Sequence, residues 1–283
     1  MAKYTPFAIA YDFDGTLAPG NMQEHSFIPD CGFTKAQFWS EVKKYAQDHD
    51  MDEILAYMYL MLDKAKAQHK PINRRAFQEH AKTIEFFPGV DGWFDRINEY
   101  GKQRGFKIEH YIISSGLREM IEATKIGKKF KYIYASGFKF DVHDVAEWPA
   151  LAVNYTTKTQ YLFRINKGIE NSYDNSKINK FTIEQERPVP FTNMIYLGDG
   201  ETDIPAMKML KYQKGYSIAV YDPSKRGTKT KLSQKKMALN LLDEQRADYA
   251  QPTDYTEGSA LDKLVKHIIN KVAEEQALMK LRQ

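Results

Sequence analysis

The fold is decided by the stretch Phe7-Ala8-Ile9-Ala10-Tyr11-Asp12-Phe13-Asp14-Gly15-Thr16, which lies close to the start of the chain. Its apolar first part has the length of a buried strand, and the glycine behind it marks the turn that ends the strand. Asp12 and Asp14 therefore stand where a buried strand ends. Open α/β sheets bind their ligands at the carboxyl ends of their strands. Because the two like charges repel, we expect a metal ion or a shared proton to stabilise them.

Length and composition favour a well-packed globular protein. The 283 residues suit one large domain or a core with a smaller insertion, and 42% of them are hydrophobic. The single cysteine, Cys31, excludes an internal disulfide and indicates a reducing compartment. The start of the chain has no signal-peptide pattern, and no apolar run has the length of a membrane span. We therefore expect a soluble, cytoplasmic protein with no membrane partner.

Strands and helices alternate along most of the chain. Besides the first strand, apolar runs predict strands over 108–113, 132–135, 194–197 and 217–221, with helices between them and a last helix over 259–281. This alternation predicts a parallel sheet covered by helices on both faces, a doubly wound, Rossmann-like α/β fold. Residues 19–87 contain helical patterns without a strand, so we expect an all-helical insertion there and a core made of 1–18 and 88–283.

The segment 137–168 is the hardest to assign. Apolar residues at Phe138, Phe140 and Val142, and again at Tyr161, Phe163 and Ile165, alternate with polar ones. Strict alternation is typical of strands, so this segment is predicted to form a β-hairpin extension of the sheet. A helix is predicted to begin near Ser176.

Polar groups follow three of the predicted strands: Asp12 and Asp14, Ser114 and Ser115, and Asp199. In a parallel sheet all three strand ends lie at one edge. Asp12 is a candidate nucleophile, since a carboxylate can accept a phosphoryl group. Asp12 and Asp199 together would form a hard oxygen site suited to Mg²⁺.

The remaining groups of this edge suit a phosphate ester. Ser114 can donate to a phosphate oxygen, and the N–H groups of Ser115 and Gly116 are expected to open a helix whose dipole favours anions. Lys177 or Lys180, near a predicted helix start, could supply a further cation. Asp14 is then left to act as general acid to the leaving oxygen and as base to the attacking water.

The order of these residues resembles the four motifs of haloacid-dehalogenase-superfamily phosphatases. The matching parts are Asp12-x-Asp14-Gly15-Thr16, Ser114 after an apolar strand, an upstream lysine, and Gly198-Asp199-Gly200-x-x-Asp203. The helical insertion is similar to the cap of the phosphoserine-phosphatase-like branch. The resemblance implies that residues 19–87 form a cap domain on a core with that superfamily's fold. Asp14 favours phosphate esters over carbon–halogen substrates, because the dehalogenases lack it.

The resemblance also implies roles for individual residues. Asp12, Asp199 and the backbone carbonyl of Asp14 would hold Mg²⁺, and Asp203 would orient that metal site. Lys177 would be the motif lysine, because that branch has its lysine at the start of a helix. Within the cap, three charged residues could bind a zwitterionic amino acid, namely Glu24, Arg74 and Arg75.

The function predicted from the sequence is hydrolysis of a small phosphorylated metabolite, with phosphoserine as the first substrate to test. Two alternatives stay open at this stage: a phosphotransferase or mutase that uses the same aspartyl-phosphate, and a non-catalytic binding protein on the same fold. The basic residues between Lys225 and Lys236 have no interleaved aromatic residues and no accompanying nucleic-acid-binding motif. We therefore expect no nucleic-acid partner.

Overall fold

The computed structural model describes residues 4–228 and 232–281. Lys229 and Lys231 of the basic segment lie outside the described residues. The described strands form one seven-stranded sheet in the order β4-β3-β2-β1-β5-β6-β7. The strands are β1 (Thr5–Tyr11), β2 (Phe106–Leu117), β3 (Tyr132–Phe140), β4 (Ala146–Leu151), β5 (Met194–Gly198), β6 (Tyr216–Tyr221) and β7 (Tyr249–Pro252). All neighbours in the sheet are parallel except β3 and β4, which form an antiparallel hairpin.

The α-helices of the described residues are distributed around this sheet. They are α1 (Phe27–Asp30), α2 (Lys35–Asp48), α3 (Glu53–Ala67), α4 (Arg74–Ala81), α5 (Val90–Gln103), α6 (Arg118–Ala123), α7 (Thr157–Asn166), α8 (Asn175–Asn179), α9 (Ile204–Tyr212), α10 (Gln234–Asp243) and α11 (Ala260–Lys280). Short 3₁₀ turns connect several of these elements, including one at Met22–Glu24 and one at Glu201–Asp203. Among the described residues, none of the helices is both long and apolar enough to cross a membrane.

The first strand shows why its sequence is apolar throughout. Phe7, Ile9 and Tyr11 belong to one hydrophobic core, while Ala8 and Ala10 belong to a second core on the opposite face. Side chains of a strand alternate between the two faces, so a strand buried on both sides has no polar position. Helices α5 and α11 contribute to the first core, and α7, α9 and α10 contribute to the second. The predicted α/β fold with both sheet faces covered is confirmed.

The helical part between β1 and α5 follows its sequence signals closely. Thr34 and Gln37 form the predicted capping box at the start of α2, and Asp52 and Asn73 cap α3 and α4. No strand is assigned between residues 27 and 87 of the described chain. The division into a core of 1–18 and 88–283 and a cap of 19–87 stays a prediction.

The segment 137–168 differs in part from its prediction. Its first half forms the expected hairpin, made of β3 and β4, but its second half is the helix α7. Tyr161, Leu162 and Ile165 are buried, a spacing that places them on one face of a helix. The apparent alternation of Tyr161, Phe163 and Ile165 was therefore misleading, because Leu162 between them is buried as well. The short edge strand β7 was also missed by the sequence patterns.

The hairpin packs against the helical part of the chain. Phe77 of α4 is buried and stacks on Phe138 of β3, with ring centroids 5.4 Å apart. Arg74 lies over the ring of Phe140 at 3.9 Å and forms an ion pair with Asp144 in the hairpin turn at 3.1 Å. The hairpin thus fixes α4 to the sheet through aromatic packing with a charged rim.

Replacing Phe77 tests this packing. We expect Phe77→Ala to lower the free energy of unfolding by about 3 kcal/mol or more, because it removes a buried ring and leaves a cavity. Urea unfolding followed by circular dichroism would measure the loss. Arg75→Ala on the exposed side of the same helix is the matched control, with an expected change within about 0.5 kcal/mol. A Phe77→Ala variant as stable as the parent protein would show that the hairpin does not stabilise α4.

Candidate active site

Two carboxylates meet at the carboxyl ends of the neighbouring strands β1 and β5. Asp12 follows β1, and its backbone N–H donates to the carbonyl oxygen of Leu197 in β5 at 2.8 Å. Asp199 directly follows β5. Each of Asp12, Asp199 and Asp203 has a carboxylate oxygen within 4.8 Å of one from each of the others. The structure therefore brings together three acidic residues that the sequence placed in two distant motifs.

A buried lysine that the sequence analysis missed lies against this group. The Nζ atom of Lys158 is 2.9 Å from Oδ2 of Asp12 and 2.7 Å from Oδ1 of Asp203, and its side chain is fully buried. Burial alone would lower the pKa of Lys158, but the charges of Asp12 and Asp203 outweigh burial and raise it. Lys158 is therefore a protonated cation that joins two carboxylates.

Asp203 is held by several donors besides Lys158. The hydroxyl of Tyr196 donates to its Oδ1 at 2.5 Å, and the backbone N–H of Gly200 donates to its Oδ2 at 3.2 Å. Its side chain is completely buried beneath the loop that follows β5. These contacts leave Asp203 positioned to orient Lys158 and the Gly198–Asp203 turn.

The position of Lys177 differs from its prediction. Asp174 caps the short helix α8, but the side chain of Lys177 is 72% exposed and its Nζ lies 3.9 Å from Asp174. Lys180, the alternative, is also exposed, and neither residue lines the cavity at Asp12. The prediction failed because the segment containing Lys158 was interpreted as a strand. The signal that could have found Lys158 is its place in the first turn of a helix with Leu162 and Ile165 on the buried face.

Asp14 lies on another side of the same site. Its Oδ1 accepts from the backbone N–H of Met22 at 2.9 Å, and it lines the cavity together with Asp12. Burial, followed by the charge of Asp12, raises the pKa of Asp14 well above its ordinary value. Gly15 behind it has φ +74°, and a Cβ there would lie 2.0 Å from Oδ2 of Asp199. This position needs glycine for its backbone conformation and for its close approach to Asp199.

Three of the predicted phosphate-binding residues are present at the site, and their predicted secondary structure needs one correction. Ser114, Ser115 and Gly116 all line the cavity with Asp12. They do not open a helix, because β2 continues to Leu117 and α6 begins only at Arg118. The N–H of Gly116 instead donates to Oγ of Ser114 at 3.1 Å.

The charged residues expected to bind an amino acid do not line the cavity. Arg74 is paired with Asp144, and Arg75 is exposed on the same helix. Glu24 accepts from Asn21 and from Nε1 of Trp39, both at 2.8 Å, and pairs with Lys35 at 3.0 Å. Burial opposes ionisation of Glu24, but these donors outweigh it and hold its pKa below the ordinary value. These three contacts of Glu24 therefore serve the fold of the cavity wall.

A cavity of about 650 Å³ lies between this strand edge and the helices α2 and α3. Asp12, Asp14, Asp199 and the Ser114–Gly116 segment form its floor. Residues from the helical part and from the loop after β6 line the rest, among them Asn21, Gln23, Trp39, Lys43, Glu53, Ile54, Tyr57, Asp222, Lys225 and Gln234. A cavity of this size accommodates a small organic ligand.

The donor set fits a divalent cation. Lys158 supplies one positive charge to three carboxylates, so the group keeps an excess of negative charge. Burial, followed by the charges of Asp203 and Asp12, raises the pKa of Asp199 well above its ordinary value. Hard carboxylate oxygens at this spacing are ligands that Mg²⁺ prefers. A contact of the metal with the backbone carbonyl of Asp14 stays a prediction.

The sequence of this chain matches a known family. A sequence model described as haloacid dehalogenase-like hydrolase matches residues 9–208. The chain belongs to the haloacid dehalogenase-like hydrolase family. A protein of Borreliella burgdorferi described only as uncharacterised is 31% identical over 227 residues, which is 72% of this chain and 78% of that protein. The predicted superfamily and a hydrolase-type enzyme are confirmed.

Solved structures show the same fold. A haloacid dehalogenase family hydrolase of Salmonella enterica serovar Typhi superimposes with a TM-score of 0.52 at 17% identity, covering 76% of this chain and 63% of that one. A phosphoserine phosphatase in a phospho-aspartyl intermediate analogue form gives a TM-score of 0.52 at 16% identity, covering 93% and 99%. These likenesses show the fold that was predicted for the chain.

Magnesium is expected to stabilise this family member by relieving the repulsion among the carboxylates. At a Mg²⁺ concentration of about 100 times its dissociation constant, binding to the native state adds about 2.7 kcal/mol and raises Tm by about 5 °C or more. Asp199→Asn should have a higher Tm than the parent protein in chelator, because it removes a repelling charge, and should lose the Mg²⁺ response. Thermal unfolding in MgCl₂ and in EDTA measures both.

The control for this experiment is Glu201→Gln, which removes an exposed carboxylate from the neighbouring turn. We expect this variant to respond to Mg²⁺ like the parent protein. An Asp199→Asn variant that keeps the full Mg²⁺ shift would contradict the assignment of the metal site.

Proposed function

We propose that this protein is a Mg²⁺-dependent phosphomonoesterase that hydrolyses a small phosphorylated metabolite through an aspartyl-phosphate on Asp12. The observation that carries the proposal is the joint placement of Asp12, Asp14, Asp199 and Lys158 at one sheet edge beneath a cavity. This arrangement suits a phosphate group, which needs cations on one side and a proton donor on the other. Mg²⁺, held by Asp12 and Asp199, would neutralise and align the phosphate when bound.

The chain's own residues divide the reaction between them. A carboxylate oxygen of Asp12 attacks the phosphorus atom, and the bond from phosphorus to the leaving oxygen breaks while Asp14 protonates that oxygen. Lys158 holds Asp12 in place and offsets negative charge. Asp14, now a carboxylate, takes a proton from water, which attacks the phosphorus and releases inorganic phosphate and Asp12. Ser114 and the N–H of Ser115 lie at the same cavity floor and would bind phosphate oxygens.

The helical segment 19–87 is proposed to act as the cap, because α2 and α3 contribute Trp39, Ile54 and Tyr57 to the cavity wall. A wall over the reacting groups excludes bulk water and selects the leaving group. The enclosure favours a small soluble ester, and phosphoserine belongs in the first substrate panel. A cytoplasmic location is proposed with it, supported by the lone, buried Cys31.

Replacing the proposed nucleophile tests the mechanism. On a panel of phosphate esters with Mg²⁺, we expect Asp12→Asn to lower kcat by about 10³-fold or more, because the amide does not form the acyl-phosphate. Asp222→Asn removes another carboxylate of the same cavity and should cost less than about tenfold. Stopped reactions analysed by intact mass should show an added phosphoryl group on the parent protein. Full activity of Asp12→Asn, or activity indifferent to chelation, would refute the mechanism.

The same substitution at Lys158 and at Lys177 tests which lysine serves the reaction. Lys158→Met should lower kcat/KM by about 10²-fold, because it leaves Asp12 and Asp203 without their shared cation. Lys177→Met should change kcat/KM less than about twofold, since that side chain is exposed and does not line the cavity. Thermal unfolding of both variants separates lost activity from lost folding. The reverse order of effects would restore Lys177 as the functional lysine.

A further inference from the structure

One buried acceptor at the cavity wall has no donor. Gln23 lies in the 3₁₀ turn Met22–Glu24, is only 2% exposed and lines the cavity. Its Oε1 atom is buried and has no hydrogen-bond partner among the residues that the structure describes. An unpaired buried acceptor costs about 1–3 kcal/mol. Such an atom needs an explanation, and at a cavity wall a ligand, an ion or a water that completes it is the simplest one.

The nearby tyrosine of the cavity wall does not supply the missing donor. The hydroxyl of Tyr57 donates its proton to the carbonyl oxygen of Ser115 at 2.6 Å. Tyr57 therefore has no hydroxyl proton left for Oε1 of Gln23, which stays without a donor.

Gln23 stands beside the proposed proton donor. Met22, the preceding residue, donates its N–H to Asp14, and its side chain lies against Gly116. In the proposed mechanism Asp14 protonates the leaving oxygen. Because Gln23 lines the cavity and directly follows Met22, we place its free acceptor on the leaving-group side of the phosphate.

Acidic side chains away from the reaction centre favour a positive leaving group. Asp12, Asp14 and Asp199 do not contribute, because Lys158, the proposed Mg²⁺ and a proton offset their charge. The rest of the lining has the acidic Glu53 and Asp222, and its basic members, Lys43 and Lys225, are exposed. After burial, the charges of Glu53, Glu201 and Asp52 raise the pKa of Tyr155 at the same wall. The aromatic faces of Trp39 and Tyr57 add a surface that attracts cations. No arginine lines the cavity among the described residues, so a carboxylate finds no guanidinium there.

We propose that Gln23 accepts a hydrogen bond from a protonated amine on the leaving group, so that the substrate is an O-phosphorylated amino alcohol without a carboxylate. The hydrolysis of this substrate and the placement of Gln23 on its leaving-group side rest on the proposed function. Gln23 replaces Glu24 as the recognition residue, because Glu24 does not line the cavity and is bound to Asn21, Lys35 and Trp39.

Three esters separate the contributions of the amine and of a carboxylate. Ethyl phosphate lacks both groups, 2-aminoethyl phosphate adds the amine, and phosphoserine adds a carboxylate to it. Binding is measured by calorimetry on the Asp12→Asn variant with Mg²⁺, and turnover on the parent enzyme. We expect 2-aminoethyl phosphate to bind about tenfold or more tightly than ethyl phosphate, and more tightly than phosphoserine.

Variants of Gln23 connect this preference to one atom. In the Asp12→Asn background, Gln23→Met should abolish the preference for 2-aminoethyl over ethyl phosphate, so that both bind about equally. Gln23→Glu should keep or increase the preference. Gln78→Met makes the same chemical change on the exposed side of α4 and should leave the preference unchanged. If Gln23→Met unfolds, as judged by thermal unfolding, the Gln23→Glu variant decides.

The two proposals fail separately. A preference for the amine that is lost in Gln23→Met, without turnover of any ester by the parent enzyme, would support the amine site and refute the phosphatase. Turnover without a preference for the amine, a preference that survives Gln23→Met, or tighter binding of phosphoserine would refute the amine site. Failure of all three esters to bind would refute it too.

Discussion

The arrangement of this site depends on one buried ammonium group, that of Lys158, which lies between Asp12 and Asp203. A buried charge is costly unless it is paired and hydrogen-bonded, and here each of the three groups depends on the others. Asp203 in turn receives Tyr196 and the N–H of Gly200, so the turn after β5 takes its shape from the same interaction. Lys158 therefore connects α7, β1 and the β5 turn, three segments that are far apart in the sequence.

The sheet topology explains why these segments meet. The chain adds β2 and then β3 on one side of β1, and places β5 and then β6 on the other. The strand order therefore reverses between β1 and β5, and this reversal opens a crevice at their carboxyl ends. Asp12 and Asp199 are the residues that leave these two strands. The two carboxylates repel each other because both lie at this crevice. The crevice is therefore suited to a reaction that depends on a cation.

The sequence predicts those parts of the site that depend on the sheet alone. Asp12, Asp14, Ser114 and Asp199 could be found because the ends of parallel strands share one edge whatever lies between them. Lys158 could not be found in the same way, because its position depends on whether 157–166 is a helix, and apolar Tyr161, Phe163 and Ile165 imitate a strand. Arg74 and Arg75 carry the right charge, but only the packing of α4 on the hairpin shows that they point away. The sequence carries no signal for the unpaired Oε1 atom of Gln23, because the lack of a hydrogen-bond partner is visible only in the folded structure.

Glu24 and Gln23 show how the fold redistributes chemistry between adjacent residues. A glutamate after the first motif has the charge expected of an amine ligand, yet its carboxylate is bound to Lys35, Asn21 and the indole of Trp39 and does not line the cavity. Those contacts tie the start of the helical segment to α2 and fix the Trp39 ring at the cavity wall. The wall is fixed to the floor as well, through Tyr57 and the carbonyl of Ser115. Once Glu24 and Tyr57 are committed to these bonds, the acceptor left at the wall beside Asp14 is the neutral amide oxygen of Gln23. A neutral acceptor binds a cation by hydrogen bonding while carboxylates of the wall, such as Glu53, supply negative charge. Recognition here is therefore shared between one atom and the field of the side chains around it.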